Sequence, residues 1–182
     1  MYGNRGVLHD RDGRIVRRGQ VRRWLVCELS FRGRRRPLLR PGRYTELFFL
    51  DEAVALAAGH RPCAECRHAA YQRFRRLWAA ELGLAQPPSA GGIDDVLHAE
   101  RALDGGRRRT RHAPAATLPD GAFLAGVDGP HVVVAAGTRP WSHDGYGPWR
   151  ELPSADVPVL TPPSTLAVLR AGYRPRLHPT AL

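Results

Sequence analysis

Cys63 and Cys66 stand at a C-x-x-C spacing in "GHRPCAECR", the densest concentration of reactive side chains in the chain. Two thiolates so spaced supply half of a tetrahedral zinc site from one tight turn. The other half must come from elsewhere: Cys27, the third cysteine, or a histidine, of which His60 and His68 lie closest in sequence. Two other chemistries suit the same pair. A C-x-x-C opening a helix beside Arg61 and Arg67 would carry a depressed thiol pKa, as a thiol oxidoreductase needs. Such a motif ordinarily follows a strand inside a βαβ unit, whereas a short helix ending at Gly59 precedes this one. The third reading is a pair of small buried hydrophobes.

A second set of residues suits acid–base or metal chemistry. "LHAER" puts His98 and Arg101 at i, i+3 on one helix face with Glu100 turned away, and His112 lies in an arginine-rich loop. "RPWSHDGYGPW", residues 139–149, gathers Trp141, His143, Asp144 and Tyr146 in a Gly/Pro-punctuated loop. Aromatic planes beside arginines stack on unpaired or flipped bases, which makes Trp141 and Tyr146 the candidates for base contact. His98, Glu100, His112, His143 and Asp144 are the candidate catalytic residues of a metal-dependent nuclease or base-modifying hydrolase. No phosphate-binding P-loop, dinucleotide fingerprint, H-E-x-x-H or serine elbow is present to support nucleotide hydrolysis, zinc proteolysis or esterase chemistry.

"FFLDEAVALAAGHRPCAEC" resembles the second half of the metal-binding domain of the Ada adaptive-response DNA repair proteins. There a strand, a short alanine-rich helix and an Ala-Gly-x-Arg-Pro-Cys-x-x-Cys turn carry two of four zinc cysteines. The matching positions are Ala55, Leu56, Ala57, Ala58, Gly59, Arg61, Pro62, Cys63 and Cys66, and the resemblance is confined to residues 48–67. It implies zinc and contact with DNA. In that family an upstream cysteine pair completes the site, and its first member accepts a methyl group from a DNA phosphotriester. The corresponding stretch here, "ELSFRGRRRPLLRPG", has no cysteine, and Cys27 lies 36 residues before Cys63. The resemblance therefore implies a zinc knuckle of Ada-like shape without the methyl-accepting pair, completed by Cys27 and a histidine.

The chain has 182 residues and a formal net charge of +11, and each of its 28 basic residues is arginine. The absence of lysine reads as genome composition, but the excess over 17 carboxylates does not. It favours a polyanionic partner through long-range attraction and counterion release. The expected partner is nucleic acid, DNA in preference to RNA, with phosphate contacts from Arg34, Arg35, Arg36, Arg73, Arg76, Arg107, Arg108 and Arg109. An odd cysteine count argues against a disulfide framework. No apolar run is long enough for a membrane span and the first residues lack a signal-peptide core, so the expected location is cytoplasmic with no membrane partner. The oligomeric state is not legible.

The pattern predicts an α+β fold, with a small zinc-knuckle-like lobe over 1–84, a turn-rich linker over 85–92, and a helix with a small β-rich lobe over 93–182. Residues 21–31 and 43–50 read as strands, and Asp51 as the N-cap of a helix over 52–58 that stops at Gly59. Apolar residues from Tyr71 to Leu82 recur at helical spacing, and a further helix is expected over 93–103. Residues 105–114 read as an exposed basic loop. A hairpin is expected around Asp128-Gly129, a strand over 157–160, and a closing helix capped by Gly172. The function so implied is that of a zinc-stabilised nucleic-acid-binding protein of DNA processing or repair.

Overall fold

A computed structural model describes residues 1–33, 37–101, 103–104, 107–108 and 111–182, with backbone alone at 103–104 and 107–108. In chain order the elements are β1 (Tyr2–Asn4), β2 (Leu25–Cys27), β3 (Leu47–Phe48), α1 (Glu52–Ala57), β4 (Arg61–Pro62), α2 (His68–Glu81), α3 (Ala90–Glu100), β5 (Leu103–Asp104), β6 (Arg107–Arg108) and β7 (Arg111–Pro114). They continue with β8 (Phe123–Gly126), β9 (Gly129–Val134), β10 (Gly137–Ser142), β11 (Gly145–Tyr146), β12 (Arg150–Glu151), β13 (Asp156–Val159) and α4 (Pro163–Arg170). The fold is α+β. None of its described helices is long and apolar enough to cross a membrane.

Two sheets organise the molecule. The small one runs β3-β1-β2-β4, antiparallel except for the parallel β2–β4 pair. The large antiparallel sheet runs β11-β10-β9-β8-β13-β7, with β12 on β10. Strand side chains alternate between faces, and in the large sheet both faces are buried. Leu124 and Val133 belong to one apolar cluster with Phe74, Trp78, Leu97 and Leu169, while their neighbours Phe123 and Val132 belong to a second with Ala53, Ala57 and Tyr146. The first cluster thus draws on residues from both sides of 85–92.

Helix α1 sits between these layers, which accounts for its alanines. Leu56 enters one cluster, Ala53 and Ala57 the other, and Ala55 is also fully buried. A helix covered on several sides has room only for small side chains. Asp51 caps it by accepting from the Val54 N–H at 2.9 Å. The turn after it needs Gly59, whose φ is +86° and where a Cβ would lie 2.5 Å from Arg101 Cδ.

Helices α1, α2 and α4, the Asp128-Gly129 hairpin and the last strand follow the sequence pattern closely; other stretches differ. The apolar run at 21–31 gives a strand of only three residues, because Leu29 is 65% exposed and walls a cavity instead of packing in a core. From 43–50 only β3 is strand, since Thr45 spends its hydroxyl on Leu8 N and His9. Helix α3 runs over Ala90–Glu100 in place of the expected 93–103, because Ser89 caps it by accepting from Gly92 N–H and Leu103 pairs with Arg108 between β5 and β6. The basic loop contains strands β6 and β7, the latter paired with β13. The loop expected at 139–149 is largely a hairpin of β10 and β11, with Trp141 opposite Tyr146.

Candidate metal centre

Strand register assembles the site. Parallel pairing sets Leu25 beside Arg61 and Val26 beside Pro62, and the Cys63 N–H continues the ladder by donating to the Val26 carbonyl at 3.0 Å. The next step of that register brings Cys27 against Cys63. Beyond Pro62 the chain turns through Ala64 and Glu65 into α2, closed by Arg67 N–H donating to the Cys63 carbonyl at 3.1 Å, and this returns Cys66 to the same place. The sulfurs of Cys27, Cys63 and Cys66 all lie within 4.8 Å of one another. A tetrahedral zinc with Zn–S bonds of about 2.3 Å sets its thiolates about 3.8 Å apart, so the donor set and spacing suit such an ion.

The turn is clamped from behind. Arg61, with a side chain 2% exposed, makes two 2.8 Å bonds to Asp94 of α3. Arg67 reaches Glu52 of α1 at 2.7–2.8 Å and Glu28 at 3.3 Å, and the Tyr173 hydroxyl donates to Glu52 at 2.6 Å. These guanidiniums are matched by carboxylates, so the thiols are tuned by other groups. The Cys63 thiol is pushed down to about 5 by a hydrogen bond from the Cys27 thiol and by the backbone N–H groups of Cys66 and Glu65, against the opposing effect of burial. Cys27 moves up because it donates to Cys63 and is buried, and Cys66 moves up chiefly through burial. One thiolate shared by two thiols is the arrangement that a cation would complete by displacing the remaining protons.

Among the described residues no fourth His, Cys, Asp or Glu joins the group. His60 packs against Trp24 and Phe49 and accepts from Arg5 at 3.3 Å, while burial and the charges of Arg5 and Arg101 hold its pKa well below the usual range. His68 is exposed, one ring nitrogen 3.0 Å from the Ala64 carbonyl. The three cysteines instead line a cavity of about 290 Å³. Tyr2, Cys27 and Phe48 pair across the small sheet and therefore share its face. Tyr44 and the carboxylate residues Glu28, Glu46 and Glu65 complete the part of the wall that matters for chemistry. Behind that face Gly3 is obligatory, since a Cβ there would lie 2.5 Å from the Leu25 carbonyl oxygen.

None of the five candidate catalytic residues lines this cavity. His98 is exposed at the rim of a different cleft. Glu100 accepts from Ser164 N–H at 3.0 Å and Ser164 Oγ at 2.6 Å, capping α4 where Pro162 offers no side-chain cap. His112 is exposed on β7, and His143 and Asp144 are exposed at the tip of the β10–β11 hairpin. Tyr146 is buried and donates its hydroxyl to Asp51 at 2.8 Å, and Trp141 packs against the second apolar cluster. Tyr146 is therefore closed to a base. Arg73 donates to the Gly172 carbonyl and Arg76 is exposed. Arg34, Arg35, Arg36 and Arg109 lie outside the described residues, and of Arg107 and Arg108 only the backbone pairing is described. Sequence reading missed Glu28, Glu46, Glu65 and the aromatic wall; strand register puts Tyr2 and Phe48 on the face of Cys27, whereas the three glutamates lie just outside the strands, where no periodic signal marks them.

Comparison of the chain with protein-family models, with curated proteins and with solved structures gives no match.

Proposed function

We propose that the protein is a zinc-centred nucleic-acid-binding protein that acts on DNA in its processing or repair. The observation that carries the reading is the three-cysteine group, drawn from β2 and the turn before α2, with its fourth side on a cavity. Zinc is the ion favoured by three thiolates in tetrahedral spacing. The resemblance of residues 48–67 to the Ada metal-binding half supports the same ion and the same polymer. Charge supports the partner: 13 of the 28 arginines but only three of the 17 carboxylates fall in residues 1–43. A segment so unbalanced attracts a polyanion over distance and gains by releasing its counterions.

A second reading, metal-dependent hydrolysis of a nucleic acid or base, is favoured by the open side of the cysteine group. Structural zinc sites close with four protein ligands, whereas catalytic ones keep a position for water or substrate. Bound there, zinc would supply a water acidic enough to ionise near neutral pH. Glu28, Glu46 and Glu65 are the carboxylates on that cavity, in place of the residues chosen from sequence. Thiol oxidoreduction is the remaining alternative.

Elemental analysis and DNA titration test these readings together. The proposal expects one zinc per chain, held more weakly in Cys27→Ser, and DNA affinity falling steeply with salt. Metal-free wild-type protein that forms a reversible Cys63–Cys66 disulfide with its fold intact would favour the oxidoreductase. Zinc-dependent cleavage of DNA, abolished by Glu28→Gln or Glu65→Gln, would favour the hydrolase.

A further inference from the structure

Beyond β1 the chain runs on to His9, turns, and comes back beside itself over residues 15–21. The Leu8 carbonyl accepts from Val16 N–H and the Arg5 carbonyl from Gln20 N–H, both at 2.8 Å, and Ile15 bridges His9 in antiparallel sense. The result is an irregular two-stranded ribbon. Asp10 closes its tip, Oδ1 accepting from the N–H groups of Asp12 and Arg14 at 3.0 and 2.9 Å. The inner strand is tied to the body of the protein: Leu8 N–H donates to the Thr45 hydroxyl at 2.8 Å, and Thr45 N–H to the Gly6 carbonyl at 2.9 Å. Gln20 Oε1 accepts from Val7 N–H at 2.7 Å, and a Cβ on Gly6, whose φ is +93°, would lie 2.8 Å from the Gln20 side chain. The outer strand is therefore presented from a braced backbone.

That outer strand concentrates charge. Residues 11–23 hold six arginines, at 11, 14, 17, 18, 22 and 23, and all six are exposed. The carboxylates nearest in sequence are Asp10, spent on the turn, and Asp12 at the tip. Arg22 meets Asp95 at 3.0 Å in an exposed pair that a phosphate can replace at little cost. The other five have no carboxylate within ion-pair distance among the described residues. Elsewhere arginines are spent on the fold: Arg61 on Asp94, Arg67 on Glu52, Arg150 on Asp128, and Arg75 and Arg139 on carbonyls. Like charges so close repel one another and work against the compact state. A loose loop would let them spread, whereas this ribbon is built to keep them together.

We infer that the outer strand of this ribbon grips the phosphate backbone of DNA, with Arg14, Arg17, Arg18, Arg22 and Arg23 as the phosphate contacts. Guanidinium forks match phosphate oxygens two bonds at a time, and a braced strand has little order left to lose on binding. The inference rests on the nucleic-acid reading above and adds to it a location and a set of residues outside those chosen from sequence. It also fixes the kind of contact. Phosphate contacts position a protein on DNA without reading bases, so the ribbon supplies affinity equally to any sequence.

The test compares Arg14→Ala/Arg17→Ala/Arg18→Ala with Arg111→Ala/Arg170→Ala/Arg174→Ala, which removes equal charge from exposed positions elsewhere. Fluorescence anisotropy is read with two labelled duplexes of unrelated sequence and with one strand of each, across a salt series. Thermal melts confirm that both variants are folded. The ribbon variant should lose at least about tenfold in affinity, by the same factor for both sequences. Its log–log salt slope should fall by about 2.7 on duplex or about 2.1 on single strand, three phosphates at about 0.9 or 0.7 each. The control should keep most of the wild-type slope. Equal losses in the two variants, or a ribbon loss confined to one sequence, would overturn the assignment and leave the nucleic-acid reading standing. A wild type that binds none of these oligonucleotides at low salt overturns both.

Discussion

Replacing Asp94 by Asn isolates the clamp that holds the cysteine turn. Arg61 and Asp94 have side chains 2% and 9% exposed and meet through two 2.8 Å bonds. Asparagine keeps the shape and one acceptor but leaves the guanidinium buried without a counter-charge. Breaking a buried pair in this way costs about 3–5 kcal/mol. At about 2–4 °C per kcal/mol for a chain of this size, Tm should fall by about 6–20 °C. The neighbouring residue provides the control: Asp95 pairs with Arg22 at 3.0 Å, but with side chains 61% and 68% exposed. Such a pair contributes about 0–1 kcal/mol, so Asp95→Asn should move Tm by less than about 4 °C. Thermal unfolding of zinc-loaded wild type and both variants, followed by calorimetry, measures the difference. Because Arg61 immediately precedes Pro62-Cys63, Asp94→Asn should also release zinc to a chelator faster than Asp95→Asn. Equal shifts in the two variants, or a small shift in Asp94→Asn, would refute the argument that this buried pair holds the site.

Three further outcomes follow from the same geometry. In metal-free protein, thiolate ultraviolet absorbance should titrate with a midpoint near 5 and vanish from that range in Cys63→Ser; a wild-type midpoint at about 8 or above would show an ordinary thiol. That lowered pKa stabilises the fold fully above the unfolded value of about 8.5 and progressively less as pH falls towards the folded value of about 5. Denaturant melts should accordingly show metal-free wild type gaining stability over Cys63→Ser as pH rises through that window, and parallel profiles would contradict it. Tyr146→Phe removes a buried bond to the Asp51 carboxylate and should cost about 1.5–3 kcal/mol in a denaturant melt while leaving DNA affinity unchanged; weakened binding in a folded variant would restore Tyr146 as a base contact.

Local chemistry made much of the fold readable. Asp51 before an alanine-rich run and Gly59 after it mark α1 because cap and stop act within a few residues, and the Tyr71, Phe74 and Trp78 spacing marks α2 for the same reason. Asp128-Gly129 fixes a hairpin by turn chemistry alone. The cysteine pair was equally legible, but its partner was legible only as a possibility. Cys27 reaches Cys63 through a parallel pairing across more than thirty residues, and no local pattern encodes that register. What a reactive side chain is used for was not legible locally: tertiary packing has Glu100, a catalytic candidate, cap α4 and has Tyr146, a candidate for base contact, anchor Asp51. The arginines 5, 18, 22 and 101, which line the same cleft as His98, were hidden by abundance, since in a chain with 28 arginines only the fold separates those that converge from those that do not.

X-ray absorption at the zinc edge of the purified protein tests the central claim most directly, because it counts ligands by type around the ion. The cysteine geometry predicts one zinc per chain with three sulfur neighbours at about 2.3 Å and one oxygen or nitrogen neighbour, the sulfur count falling to two in whatever zinc Cys27→Ser retains. Four sulfur neighbours, a shell dominated by nitrogen, or protein that folds and purifies without binding zinc would contradict it.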